Sequence, residues 1–331
     1  MQITIFEADK QEQEYFQNVF KGHSVTCFDE ELSTDLISEV QNTEVLVVFV
    51  YSRVTREMIQ SLPNLKFITT MSTGFDHIDI KAASERGIIV SNVPVYAETV
   101  VAEHAFALLL AISRRLEESF ERTRKNHFSP EGLTGFELRG KTLGVIGIGT
   151  IGKHVIEIAN GFGMNVLAYA RHPDLTLERR LGFRHVDLSV LLGNSDVVSL
   201  HIPYTKETHH FLSQEKFSQM KNNCVIINTA RGGLIHSGAL LEALDSGKVY
   251  AAGLDVLEEE PVLHEEKQLL SHNFDKEKLQ SVLEGHMLCT HPRVLITPHN
   301  AFNSYEALIK ILETTHDNIA SFFTGNPINT V

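Results

Sequence analysis

Short runs of consecutive apolar or β-branched residues alternate along the chain with stretches of helical character. Ile3-Thr4-Ile5-Phe6, Val45-Leu46-Val47-Val48-Phe49-Val50 and Phe67-Ile68-Thr69-Thr70 are continuous, not alternating. A strand with one face in water would alternate, so these runs predict strands covered on both faces, in a parallel sheet with helices on each side. Between them, Thr55 to Gln60 reads as helix and stops before Pro63. A first α/β unit is thus expected over roughly residues 1–97.

Glu98 to Arg115 is rich in Ala and Leu and apolar on nearly every face, which predicts a buried helix at a junction between domains. A core role accounts for its Glu103 and His104. From Lys141 a second series of runs begins: Leu143-Gly144-Val145-Ile146, Asn165-Val166-Leu167-Ala168-Tyr169, Asp196-Val197-Val198-Ser199-Leu200, Val225-Ile226-Ile227-Asn228 and Ala252-Gly253-Leu254-Asp255-Val256. Strands followed by helices in series predict a doubly wound sheet. Leu263 to His291 reads as a charged, helix-like insertion, and Ser304 to Phe323 as an amphipathic closing helix.

With 331 residues the chain has room for two cores. Its formal charge of −13 argues against a nucleic acid or an anionic membrane as partner, while leaving room for a local basic pocket. The opening Met1-Gln2-Ile3-Thr4-Ile5-Phe6-Glu7 lacks the basic and apolar regions of a signal peptide, and no apolar run is long enough to span a bilayer. Cys27, Cys224 and Cys289 are odd in number and far apart, as expected of reduced thiols in a cytoplasmic protein. The 17 histidines contain no His-Glu-x-x-His pattern, and His209-His210 lie in polar, loop-like surroundings, so no metal is expected.

Two features suggest chemistry. Gly147-Ile148-Gly149-Thr150-Ile151-Gly152 lies between a strand and a helix expected over Ile151 to Phe162. There the glycines permit a tight turn and close backbone approach, and the helix N-terminus presents N–H groups to a pyrophosphate. The expected cofactor-binding set at the turn is Gly147, Gly149, Thr150, Ile151 and Gly152. The strand that follows ends Tyr169-Ala170-Arg171-His172-Pro173. Ala170 stands where a carboxylate would bind the ribose hydroxyls of NAD, and Arg171 and His172 could donate to a 2′-phosphate. This favours NADP, or use of both cofactors, over strict NAD.

The second feature is a trio of ionisable residues. Reducing a 2-keto acid needs a cation for the carboxylate and a proton for the carbonyl oxygen. Arg231 follows a buried strand and can grip a carboxylate through two parallel hydrogen bonds. His299 follows an apolar run and a proline, and imidazole titrates near neutrality. Glu260, beside His299, would favour the imidazolium; its run Glu258-Glu259-Glu260 also reads as a solvated turn.

The glycine turn, Asn228-Thr229-Ala230-Arg231-Gly232, the stretch from Gly253-Leu254-Asp255-Val256 to Glu260-Pro261, and Pro298-His299-Asn300-Ala301-Phe302 together resemble the D-2-hydroxyacid dehydrogenases over nearly the whole chain. Asn92-Val93-Pro94-Val95-Tyr96 is similar to the D-lactate dehydrogenase branch. Ser72-Thr73-Gly74-Phe75-Asp76 resembles the loop whose amides hold the substrate carboxylate. The resemblance implies two doubly wound parallel-sheet domains, a Rossmann cofactor domain (98–300) inserted into a flavodoxin-like substrate domain (1–97 with 301–331), with substrate between them. It implies that Arg231 binds and polarises the keto acid, Glu260 is the carboxylate partner and His299 the proton donor. Asp255 would hold the nicotinamide amide, His201, Pro203, Thr229 and Ala230 would add further cofactor contacts, and Thr73, Gly74 and Tyr96 would contact the substrate. The expected reaction is pyruvate to D-lactate in a homodimer. A glyoxylate or hydroxypyruvate reductase is the nearest rival, and a nucleotide-sensing corepressor-like protein the rival from another class. Ala170 departs from the acidic residue usual in NAD-dependent members.

Overall fold

The computed structural model describes residues 1–258 and 276–331, and the chain divides into two compact units, 1–97 with 303–331 and 98–302. Glu260, and the insertion from Leu263 up to residue 275, lie outside the described residues.

In the first unit, β1 (Gln2–Ile5), β2 (Ser24–Cys27), β3 (Val45–Val48), β4 (Phe67–Thr70) and β5 (Ile89–Ser91) form a parallel sheet in the order β2-β1-β3-β4-β5. This is the flavodoxin-like order. β3 and β4 are buried at every residue, as their unbroken apolar and β-branched runs require. β2, on the edge, alternates between exposed and half-buried positions, which is why Ser24-Val25-Thr26-Cys27 gives no apolar signal. Helices α1 (Lys10–Val19), α2 (Arg56–Ser61) and α3 (Ile80–Glu85) start at Asp9, Thr55 and Asp79, whose side chains accept first-turn N–H groups. The closing helix, Tyr305–Phe323, returns to this unit, where Phe322 stacks on Phe67 with centroids 4.6 Å apart. Its buried Asn318 is satisfied by donating to the Asn92 carbonyl at 2.9 Å and the Thr69 hydroxyl at 3.2 Å.

The second unit holds seven parallel strands: β6 (Thr142–Ile146), β7 (Asn165–Tyr169), β8 (Arg184–His185), β9 (Val197–Leu200), β10 (Cys224–Asn228), β11 (Val249–Leu254) and β12 (Val294–Ile296). Their order, β12-β11-β10-β9-β6-β7-β8, reverses between β6 and β9 and is that of a Rossmann sheet. Neighbouring residues on one strand serve opposite faces: Val145 and Ile227 enter one core with Phe106, Leu109 and Val155, while Ile146 and Ile226 enter the other with Leu192, Leu240 and Leu244. Helix α4 (Glu98–Ser113) buries Val101, Ala102, Ala105, Phe106, Leu108 and Leu109 and packs on α6 (Thr150–Gly161) and on β10 and β11. Gly253 permits that approach, since a Cβ there would stand 2.9 Å from Cβ of Leu108. The other α-helices of this unit among the described residues are α5 (Leu116–Arg124), α7 (Leu175–Leu181), α8 (Leu188–Asn194), α9 (Gln214–Gln219), α10 (Ser237–Asp245) and Lys276–Thr290, the last covering part of the expected insertion.

No helix among the described residues is long and apolar enough to cross a membrane. The three cysteines are unpaired, and burial pushes the Cys27 and Cys224 thiols up to about 11 and about 12, so neither is poised as a nucleophile.

Candidate active site

Strand register accounts for the clustering of motifs that lie far apart in sequence. Tyr169, Ile146, Leu200, Asn228, Leu254 and Ile296 pair in one row across β7, β6, β9, β10, β11 and β12. One residue further on stand Ala170, Gly147, His201, Thr229, Asp255 and Thr297. The backbone continues the row there, with Gly147 N–H donating to the Tyr169 carbonyl (2.9 Å), His201 to Ile146 (2.7 Å), Asp255 to Asn228 (2.9 Å) and Thr297 to Leu254 (3.0 Å). All therefore lie on the carboxyl edge of the sheet. The glycine turn and His201 lie at the reversal of strand order, where open α/β sheets bind ligands.

The residues of the turn fit a dinucleotide. Gly147 has φ of +100°, and a Cβ on it would lie 2.3 Å from the His201 carbonyl oxygen. A Cβ on Gly152 would lie 2.1 Å from the Gly147 carbonyl oxygen, whereas one on Gly149 would meet nothing within 4 Å. Gly149 caps α6 without any side-chain hydrogen bond, so the first-turn N–H groups around Thr150 and Ile151 are left to a ligand. At the end of β10 the Thr229 hydroxyl is buried without a hydrogen-bond partner, as is Oδ1 of Asn300 beside His299. Unmet polar atoms of this kind cost roughly 1–3 kcal/mol each, and a bound amide would relieve them.

His201 is half-buried, with Nε2 2.7 Å from the Ser199 hydroxyl, and burial pushes its imidazole down to about 4, so it is neutral near pH 7. Pro203 is exposed, and its carbonyl accepts from the Thr208 hydroxyl at 2.8 Å. Ala170 is half-buried, and Arg171 and His172 beyond it are exposed. The Glu207 carboxyl is held below its usual range, chiefly by the Thr205 hydroxyl and also by Arg171.

Arg231 is held by the loop that ends β10. Oδ1 of Asn228 accepts the Ala230 N–H at 3.0 Å while its Nδ2 donates to the Arg231 carbonyl at 2.9 Å, and Arg231 Nη1 donates to the Ala230 carbonyl at 2.8 Å. Gly232 lets this loop press on the one after β11, since a Cβ there would lie 2.0 Å from the Leu257 carbonyl.

His299 occupies a left-handed position, φ 49°, in the turn after β12. The turn is shaped by Asp255, which is 1% exposed. One of its carboxylate oxygens accepts from the Thr297 hydroxyl (2.5 Å) and the Asn300 N–H (3.0 Å), and the other from the Ala301 N–H (2.9 Å). His104 on α4 adds Nε2 at 2.9 Å from the Thr297 hydroxyl and 3.4 Å from Asp255. Both oxygens of Asp255 are thus engaged by the turn that carries His299.

His104, which the sequence reading assigns to the core, and Thr297, to which it gives no role, both meet the turn of His299. The sequence signal is a histidine next to Glu103 in an Ala- and Leu-rich helix, and its partner lies 193 positions away. In the first unit, the segments after β4 and β5 are tied together: the Thr73 hydroxyl donates to the Val93 carbonyl (2.8 Å) and Asn92 Nδ2 to the Thr73 carbonyl (2.8 Å). Gly74 accepts from the Ser72 hydroxyl at 2.6 Å, and Tyr96 is half-buried.

Residues 106–301 match the family described as D-isomer specific 2-hydroxyacid dehydrogenase, NAD binding domain. A Rossmann sheet with a dinucleotide turn and an arginine and a histidine on its carboxyl edge belongs to such an enzyme, and this chain is a member of that family, an oxidoreductase with an NAD-binding domain. Individual relatives align over most of their length. The D-lactate dehydrogenase of Escherichia coli is 36% identical over 329 residues, 98% of each chain. The crystal structure of D-lactate dehydrogenase from Aquifex aeolicus, complexed with NAD and lactic acid, has a TM-score of 0.88 at 36% identity, covering 98% of this chain and 96% of that one. The glyoxylate reductase of Thermococcus litoralis is 36% identical over 297 residues, 88% of this chain and 83% of that protein.

Proposed function

We propose that this chain reduces a small 2-keto acid to the D-2-hydroxy acid, with pyruvate to D-lactate as the principal reaction and NADPH, or both cofactors, as reductant. The observation that carries the reading is the common edge shared by Thr229 to Arg231, Asp255 and Thr297 to His299. In this reading the nicotinamide, when bound, supplies the hydride. Arg231 holds and polarises the keto acid through its carboxylate, and His299 delivers the proton to the keto oxygen. Glu260 is the carboxylate partner of His299. Asp255 holds the nicotinamide amide and also shapes the turn of His299, and Thr229 and Asn300 offer further unmet polar atoms for that amide. Thr73 and Gly74 supply backbone amides to the substrate carboxylate, and Tyr96 contacts the substrate.

Likeness to the Escherichia coli and Aquifex aeolicus enzymes over almost the full chain supports lactate. Likeness to the Thermococcus litoralis enzyme supports a second reading, reduction of glyoxylate or hydroxypyruvate. The missing carboxylate at Ala170 and the exposed Arg171 and His172 support NADP. A homodimer fits the exposed Phe120 and Phe128, on α5 and the segment after it, and light scattering tests it. The deciding experiment is oxidation of NADPH and NADH, side by side, with pyruvate, glyoxylate and hydroxypyruvate. Faster turnover of pyruvate with NADPH is expected. Preference for glyoxylate moves the assignment to the second reading, and preference for NADH removes the phosphate role of Arg171 and His172.

A further inference from the structure

The loop after β11 meets a group of histidines that the proposed chemistry does not use. Glu258 is buried, with Oε1 2.5 Å from Nε2 of His210 and Oε2 accepting from the Ser237 hydroxyl at 3.0 Å. The His210 ring lies against that of His209, with centroids 3.7 Å apart and planes inclined by 28°. One donor atom from each of His209, His210 and Glu258 falls within 4.8 Å of the other two. We propose that these three residues form a binding site for a divalent transition-metal ion of the zinc class, distinct from the residues assigned to hydride and proton transfer.

Two imidazole nitrogens and one carboxylate oxygen are a donor set that suits zinc and leaves a position for water. Bonds of about 2.0–2.2 Å place two tetrahedral ligand atoms roughly 3.3 Å apart. The His210–Glu258 pair must open from 2.5 Å by under an ångström, and His209 must close inward, both within the reach of side-chain rotation. Charge argues the same way. Two imidazoles stacked face to face repel each other if both are protonated, whereas a divalent ion shared between them is balanced by the Glu258 carboxylate.

The surroundings also match a metal site. Ser237 holds the second oxygen of Glu258, and the Tyr204 hydroxyl lies 3.1 Å from Nδ1 of His209, so carboxylate and ring each have an outer partner. His209 is exposed and gives an ion its way in, while the backbone of His210 is anchored by its peptide N–H, which donates to the Gly233 carbonyl at 2.8 Å. His236, whose ring centre lies 4.6 Å from that of His210, is not a fourth ligand. Its Nδ1 accepts the Ala239 N–H at the start of α10, so Nε2 carries the proton.

The test uses the full chain without a histidine tag. Equilibrium dialysis against Zn²⁺ measures stoichiometry and affinity, and visible absorbance on adding Co²⁺ reports coordination. One ion per chain is expected, with the intense Co²⁺ bands of a four- or five-coordinate site. His209→Ala, which removes an exposed ring, should weaken binding by at least about tenfold, since loss of even an outer partner costs that much. His127→Ala, at an exposed histidine elsewhere, should leave binding unchanged. Absence of stoichiometric binding, or equal affinity in wild type and His209→Ala, overturns the site. Glu258→Gln adds a second reading where it folds, and His209→Ala decides the matter where it does not.

Discussion

The Ala301 peptide N–H donates to a carboxylate oxygen of Asp255 at 2.9 Å in a fully buried bond. With Asn300 N–H and the Thr297 hydroxyl on the other oxygen, the hydrogen bonds fall on both sides of His299 and hold its left-handed backbone. In Asp255→Asn one oxygen becomes an NH2 group facing backbone donors. Stability should fall by roughly 1–3 kcal/mol, and kcat should drop by more than KM rises, because the turn loses its shape. Urea titration and steady-state kinetics check both. An unchanged kcat would separate Asp255 from the placement of His299.

Arg231 is the cation on the sheet edge assigned to the substrate carboxylate, and its planar fork matches two carboxylate oxygens. Lysine keeps the charge but offers a single point of contact. Arg231→Lys should lower kcat/KM for the keto acid by about 10- to 100-fold, on the scale of one lost charge-assisted hydrogen bond. Cofactor affinity, measured by fluorescence titration of the reduced nucleotide, should stay the same. Equal kinetics in the two proteins would place Arg231 outside the site.

Ala170 lies one residue past the row that ends β7, beside the exposed Arg171 and His172. A carboxylate there accepts from ribose hydroxyls and repels a 2′-phosphate. Ala170→Asp should therefore move the NADH to NADPH ratio of kcat/KM towards NADH, by about tenfold or more for one charge of this kind. A ratio that does not move means that the 2′-phosphate is read elsewhere.

His201 gives a pH dependence of stability whose sign follows from its burial. Its imidazole is pushed down to about 4 from an ordinary value of 6.5. Between those values the unfolded chain binds a proton that the folded chain refuses. Stability from this residue is thus full above pH 6.5, is lost as pH falls towards 4, and levels off below. The slope reaches at most about 1.4 kcal/mol per pH unit. His201→Asn should flatten the curve across this window when unfolding free energies are compared at pH 7, 6 and 5. Parallel curves would mean that the folded ring takes up the proton.

Much of this protein is legible in its sequence because the determining physics is local. A strand covered on both faces carries apolar or β-branched residues at most positions, so β3, β4, β6, β9 and β10 declare themselves as runs. The dinucleotide turn is legible because a positive φ at Gly147 and the closeness of Gly152 to the Gly147 carbonyl both demand glycine within six residues. Edge strands escape the same reasoning: β2 is half-exposed, and β8 is two residues long, Arg184–His185.

The sequence by itself determined the parallel α/β architecture, the glycine turn and the residue types at 231 and 299, since each is required by the chain within a few residues of itself. Only the tertiary structure decided that Asp255 and His104 meet the turn of His299, and that Glu258 lies against His209 and His210. Parallel strands are joined by crossovers of many residues, so their ends come together without any short spacing in the sequence to mark it.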